Sequence, residues 1–293
     1  MHFNETPSSP TFTTGCRCCA GRTSVWSARR GFLLAAAAGA ISPALAQVDV
    51  GSSSSLRKLV PAETLESSAA QQYQQLLGQA RAQRALAPAE HPQLQHLHAI
   101  ARRLIPFTAT WNERARQWRW EVNLIGSKQI NAFCMPGGKI AFYTGILDQL
   151  RLTEDETAMI MGHEMAHALR EHARERLAKT QGTNLALRLG SQLLGLGDLG
   201  NVAASLGGQL LSLQFSRSDE SEADLVGLEL AARAGYDPSA AVSLWQKMGN
   251  ATGSKQGGLA FLSTHPSGPA RIRELEQNVP KVQGLYELAR RAG

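Results

Sequence analysis

The pentad His163-Glu164-Met165-Ala166-His167 constrains this chain more than any other feature, because it sets three polar side chains in an otherwise uncharged run. Met161, Gly162, Met165, Ala166, Ala168 and Leu169 carry no charge, as a helix buried beneath a cleft requires. On a helix, positions i and i+4 project from one face, so both imidazoles can point at a single metal ion. Glu164 follows the first imidazole and is placed to act on the reacting water as a general base. Average composition produces this HExxH pattern by chance in about one chain in a hundred of this length. Upstream, Thr153-Glu154-Asp155-Glu156 opens the helix, with Thr153 as cap and Glu156 reaching back as its capping-box partner. The pattern predicts that this helix continues through Ala173 at least.

Two imidazoles do not complete a catalytic zinc site, which takes three protein ligands and water. His172 lies close by, but the metzincin pattern needs Gly at 170 and His at 173, where this chain has Arg170 and Ala173. An acidic ligand on a second helix remains. Asp219-Glu220-Ser221-Glu222-Ala223-Asp224 supplies it: Glu220 and Asp224 share one helical face, whereas Glu222 points elsewhere. Glu220 is therefore assigned as the third ligand of one Zn2+ per chain, and Asp224 as a carboxylate that orients a ligand histidine.

Around this motif, Trp118 to Ile125 alternates large apolar and polar residues with the period of a strand. Ile130 to Ile146 reads as two extended segments about a Pro136-Gly137-Gly138 turn. Helices are expected within Pro61 to Leu86, from Pro92 to Ile105, from Phe215 to Arg233, after Asp237-Pro238 through Met248, and after Pro269. Gly51 to Ser55 reads as a flexible linker by composition. The Leu- and Gly-rich stretch 182–212 reads as a helical hairpin on the core, with a substrate-covering or membrane-facing element as the alternative. The second reading would add peripheral membrane contact.

The first 46 residues read as an export signal. Arg29-Arg30 precede the uncharged stretch Gly31 to Ile41, and Ser42-Pro43-Ala44-Leu45-Ala46 ends in an A-x-A site. Eleven residues at about 1.5 Å each cannot cross a bilayer core of about 30 Å. Cleavage is expected after Ala46, followed by an N-terminal helical extension (47–90) and a catalytic domain (91–293), in a periplasmic location. Arg29-Arg30-Gly31-Phe32-Leu33 resembles a twin-arginine signal, with departures at Ala28 and Leu34, so ordinary secretion stays open. Cys16, Cys18 and Cys19 lie in the removed segment, which leaves Cys134 without an internal partner as a small half-buried hydrophobe. Half of the formal net charge of +6 also belongs to those 46 residues. The rest holds no basic run, which argues against nucleic-acid binding.

The ordered set Asn131-Ala132-Phe133, Pro136-Gly137-Gly138-Lys139, Tyr143-Thr144-Gly145, the HExxH pentad, Ser216-Arg217 with Glu220 through Asp224, and His265-Pro266 with Arg271-Ile272 resembles the HtpX-type and CAAX-prenyl-protease-type zinc endopeptidases. It is most similar to their soluble periplasmic members and runs from about His91 to Arg273. The resemblance implies an α+β, mainly helical, zincin-like (gluzincin) catalytic domain with a small β-sheet and an HExxH helix. It carries the zinc ligands to His163, His167 and Glu220, the base to Glu164 and the motif's second acid to Asp224. Flanking membrane helices and tetratricopeptide repeats, present in some relatives, are not expected here.

The expected substrate is a polypeptide, with misfolded envelope proteins as the class implied by the resemblance. Its backbone is expected to add to the extended edge at Asn131, Ala132 and Phe133 by β-augmentation. His265 carries three readings that stay open: steadying the oxyanion, occupying the fourth metal position in a latent form, or serving as an ordinary loop histidine before Pro266. The competing function is a periplasmic chaperone or assembly factor with latent protease activity.

Overall fold

The computed structural model describes residues 48–180, 210, 213–252, 260–265 and 268–292. The export segment expected at 1–46 and nearly all of the Leu/Gly-rich stretch lie outside the described residues.

Three short strands form one sheet: β1 (Glu121–Ile125), β2 (Ala132–Met135) and β3 (Lys139–Tyr143), in the order β1-β3-β2. β2 and β3 make an antiparallel hairpin that pairs Ala132 with Phe142 and Cys134 with Ile140. Its turn needs two residues with positive φ, supplied by Gly137 at 83° and Gly138 at 75°. β1 pairs in parallel with the other side of β3, from Glu121 opposite Lys139 to Ile125 opposite Tyr143. The central strand is buried on both faces: Ile140 and Phe142 join the main helical core, whereas Ala141 joins a second cluster. β2 is left at the sheet's edge.

Helix α1 (Ala62–Ala82) makes that second cluster. Leu65, Ala69, Tyr73, Leu77 and Ala80 form its buried stripe and close over Ile125, Met135 and Ala141. The Tyr73 hydroxyl donates to the Ile140 carbonyl and accepts from Asn123 Nδ2 at 3.0 Å. On the opposite face, α2 (Pro92–Leu104), α3 (Thr144–Leu150) and α4 (Glu154–Leu169) lead into the main core. After a helix at 172–180 come α6 (Arg217–Arg233), α7 (Ala240–Thr252), α8 (Ala260–Thr264) and α9 (Pro269–Ala292), with α5 denoting 172–180.

Two expectations need correction. The helix predicted to run through Ala173 ends at Leu169, where Asn112 Nδ2 donates to the Leu169 carbonyl at 3.0 Å. Glu171 then takes φ of 60°, which breaks the helical path before α5 begins. The segment expected to be a flexible linker is tied down. Val48 is buried and donates its N–H to Glu229 Oε2 at 3.1 Å, and Arg170 Nη2 donates to the Gly51 carbonyl at 2.9 Å. Ser54 then caps a 3-10 turn at Ser55–Leu59. No helix among the described residues is long and apolar enough to cross a membrane.

Candidate active site

Helix α4 starts on the anticipated capping box. Thr153 Oγ1 accepts from the Glu156 N–H at 3.2 Å, and Glu156 Oε2 accepts from the Thr153 N–H at 2.9 Å. Glu156 is itself buried and is further held by Lys247 Nζ at 2.6 Å and Ser243 Oγ at 2.7 Å. From that fixed start α4 runs beneath the sheet, burying both imidazoles of the pentad and Glu164.

Helix α6 begins on a second capping box, Ser216 with Asp219, and lies against α4. The two backbones meet at a pair of glycines. A Cβ on Gly162 would stand 2.8 Å from the Gly227 carbonyl oxygen, and one on Gly227 would stand 2.6 Å from the His163 nitrogen. Only hydrogen at both positions permits this crossing. It brings Glu220 and Asp224 onto the two histidines.

The ligand-type atoms of His163, His167, Glu220 and His265 lie within 4.8 Å of one another, and all four residues are buried. His163 Nε2 is 3.2 Å from His167 Nε2 and 3.6 Å from Glu220 Oε2, while His167 Nε2 is 3.5 Å from Glu220 Oε1. Asp224 does not enter the cluster. Its Oδ1 stands 3.0 Å from the far ring nitrogen of His163, Nδ1, where it can hold that ring's tautomer and orientation. Glu164 projects beside the cluster, and its buried Oε1 has no hydrogen-bond partner among the described residues.

Charge at the site follows from burial and neighbours. Burial, reinforced by the imidazoles of His163, His172 and His265 and by Arg271, holds His167 well below the ordinary imidazole value, so its ring is neutral. Burial would raise Glu220, but His265, His163 and Arg271 outweigh it and keep the carboxylate charged. Asp224 is held below its usual value in the same way, against burial, chiefly by Arg271. Glu164 goes the other way: burial raises it despite His265 and His163. Two imidazoles and one fixed carboxylate form a nitrogen and oxygen donor set that fits zinc, with Glu164 beside it.

Sequence reasoning did not assign roles to several residues found here. Arg271, noted only as part of a motif, is buried and donates to both Asp224 oxygens at 2.7 Å each. Its Nη1 also lies 2.6 Å from Glu220 Oε2, and its guanidinium sits 3.6 Å over the Trp245 ring. One arginine thus orients both Glu220 and Asp224. Phe215 stacks on the His167 ring at 4.0 Å between centroids, and Phe261 stacks on His265 at 4.5 Å. The Arg271 and Phe215 contacts have no local sequence signal, because they join elements distant along the chain, whereas Phe261 meets His265 four residues on.

A groove runs along the edge strand. Asn131, Ala132, Phe133 and Cys134 line one side, Glu164, His167 and His265 its floor, and Leu210, Leu213 and Phe215 contribute apolar surface. Asn131 is half-buried and uses its carbonyl to accept from the Tyr143 N–H at 3.1 Å. His265 presents Nδ1 to the ligand cluster, 2.9 Å from Glu220 Oε1 and 3.3 Å from His163 Nε2, and turns Nε2 toward Glu164 Oε1 at 3.5 Å. His96 and His98 lie away from the site, against Glu154 and the Val122 carbonyl.

Residues 92–279 match Peptidase family M48. The chain belongs to that family. Its M48 relatives include the mitochondrial metalloendopeptidase OMA1 of Schizosaccharomyces pombe, 36% identical over 197 residues, covering 67% of this chain and 56% of that protein. Metalloprotease LoiP of Escherichia coli is 29% identical over 157 residues, covering 52% of this chain and 60% of LoiP. The beta-barrel assembly-enhancing protease of Yersinia pestis is 27% identical over 207 residues, covering 66% and 41% respectively. The chain spans only part of the OMA1 relatives: 56% of the Schizosaccharomyces pombe protein, 31% of the Arabidopsis thaliana one and 50% of the Saccharomyces cerevisiae one. M48 peptidases are zinc-dependent, in keeping with the donor set assembled here.

Proposed function

We propose that this chain is a zinc-dependent endopeptidase of the cell envelope, with a zincin-like (gluzincin) domain at 91–293 and the segment 47–90 as its N-terminal extension. One observation carries the reading. A buried general base, Glu164, stands beside the donor set His163, His167 and Glu220 on the floor of a groove bordered by an edge strand.

Zinc held by these three residues would polarise the scissile carbonyl and acidify the attacking water. The remaining work belongs to the chain. Asp224 holds His163 by its far nitrogen, and Arg271 holds Asp224 and Glu220 in register. Glu164, made more basic by burial, takes a proton from water as its oxygen adds to the carbonyl carbon. It then delivers that proton to the departing amine nitrogen as the C–N bond breaks. β2 offers the substrate backbone an edge at Ala132 and Phe133, and the apolar side of the groove favours hydrophobic side chains. Of the three roles open to His265, its Nδ1 position favours the fourth ligand place, a latent arrangement from which the ring must withdraw before substrate enters.

The envelope location rests on the export signal read at 1–46, and misfolded polypeptides are the proposed substrates. Zinc analysis and casein cleavage on wild type and Glu164→Gln, side by side, test the enzymatic reading. One zinc in each protein and cleavage only in wild type are expected. Cleavage that persists in the variant, or a wild type that takes no zinc, would overturn it. Client holding without cleavage in both proteins would favour the chaperone.

A further inference from the structure

His172 has no place in the mechanism above, and the spacing of the metzincin pattern argues against it as a ligand. Its ring is nonetheless buried and lies edge-on to His167, with centroids 5.0 Å apart at 76°. Continuous helix would not allow this. Residues five apart differ by about 140° around a helix axis and about 7.5 Å along it. The break at Arg170-Glu171, with Glu171 at positive φ, folds α5 back so that His172 Nδ1 comes to 3.0 Å from His167 Nδ1. On its other side, His172 Nε2 is 3.4 Å from Glu222 Oε2. That oxygen also accepts from Arg170 Nε at 2.8 Å, and Arg170 donates onward to the Gly51 carbonyl at 2.9 Å.

We propose that His172 is a positioning residue that locks His167 in the tautomer able to bind zinc, with Glu222 as the terminal acceptor. The inference rests on the zinc reading given above. The proton positions follow from the chemistry of imidazole. For His167 to offer the Nε2 lone pair to a metal, its proton must sit on Nδ1. That proton needs an acceptor, and the atom facing it is His172 Nδ1. His172 must then carry its own proton on Nε2, which points at the Glu222 carboxylate. With His167 Nε2 given to the metal and both rings neutral, each N–H of the row then faces an acceptor. At His163 the far nitrogen has Asp224 Oδ1 3.0 Å away, so a polar group faces that atom on each ligand imidazole. Arg170 keeps Glu222 from turning to solvent and joins the row to the tied-down segment at Val50 and Gly51.

The test uses the whole exported chain and reads the metal, with no substrate present. Zinc affinity is measured by competition with a chromophoric chelator, and ligand geometry by the visible spectrum of the Co2+-loaded protein. His172→Leu should weaken zinc binding on the order of 10- to 100-fold and alter the cobalt bands. His172→Asn should stay within a few-fold of wild type, because its Oδ1 can accept where Nδ1 did. His172→Gln places its carbonyl near the Nε2 position instead and should behave like His172→Leu. Should the leucine variant not fold, the Asn and Gln pair decides alone. Equal affinity and equal spectra in wild type and His172→Leu, or Asn no better than Gln, overturn the inference while leaving the zinc site standing. A wild type that binds no zinc overturns both.

Discussion

His265 brings one ring nitrogen to Glu220 and the other toward Glu164, so a single side chain faces both the proposed ligands and the proposed base. Burial opposes a charge on it, yet Glu164 and Glu220 outweigh burial and raise it above the ordinary imidazole value. In the proposed latent form, a neutral His265 in the fourth place would compete with water and substrate. Removing about 1.4 kcal/mol of such competition corresponds to a tenfold change. His265→Ala should accordingly raise peptide hydrolysis by up to about tenfold, and a fall in kcat/KM would instead assign the ring to oxyanion stabilisation. At this scale the sequence was most readable where geometry is linear. His163 with His167, and Glu220 with Asp224, are each i and i+4 pairs, and helical spacing alone aims both members of a pair. The roles of His172 and Arg271 are not legible in the sequence, because their contacts depend on a chain reversal and on a helix returning from far along the chain.

Helix α4 is specified at its start and at its crossing point, and only the first of these is visible in the residues. Its Thr153 and Glu156 capping box follows a local pattern and is found where expected. Glu156 does more than cap. Burial raises it, but Lys247, Thr153 and Ser243 together hold it below its ordinary 4.5. A carboxylate lowered on folding contributes stability that is complete above its unfolded value and is lost as pH falls through the native one. Glu156→Gln should therefore melt below wild type at pH 6, with the gap in Tm closing as pH drops below about 4.5. A gap independent of pH would refute the ionic contribution. The crossing with α6 is different: nothing about Gly162 or Gly227 in isolation marks them as a pair. Gly227→Ala forces a methyl into the His163 backbone, at a cost of about 1–3 kcal/mol. Thermal unfolding should show that loss, and zinc content should fall because Glu220 moves away from the histidines. A stable, fully loaded variant would show that the crossing can relax.

Over the whole molecule, the strands, the hairpin and most helices were readable from period and turn chemistry, whereas their assembly was not. Pairing β1 in parallel with β3 places the later strand in the centre and leaves β2 outermost, beside the metal helix. Composition suggested a loose linker near Gly51, but Glu229 and Arg170 draw it into the body, a tertiary effect no local pattern encodes. β2 also holds Cys134, whose side chain is almost fully enclosed next to Glu164. Burial, and then the charge of Glu164, push its thiol well above the ordinary value. Oxidants and alkylating reagents attack the thiolate, which this environment suppresses. Ellman's reagent should label the native protein far more slowly than the unfolded one, and comparable rates would contradict the suppression. A cysteine so placed can spend its life among oxidants without forming mixed disulfides, which makes the chain's chemical durability another property of the strand that borders its groove.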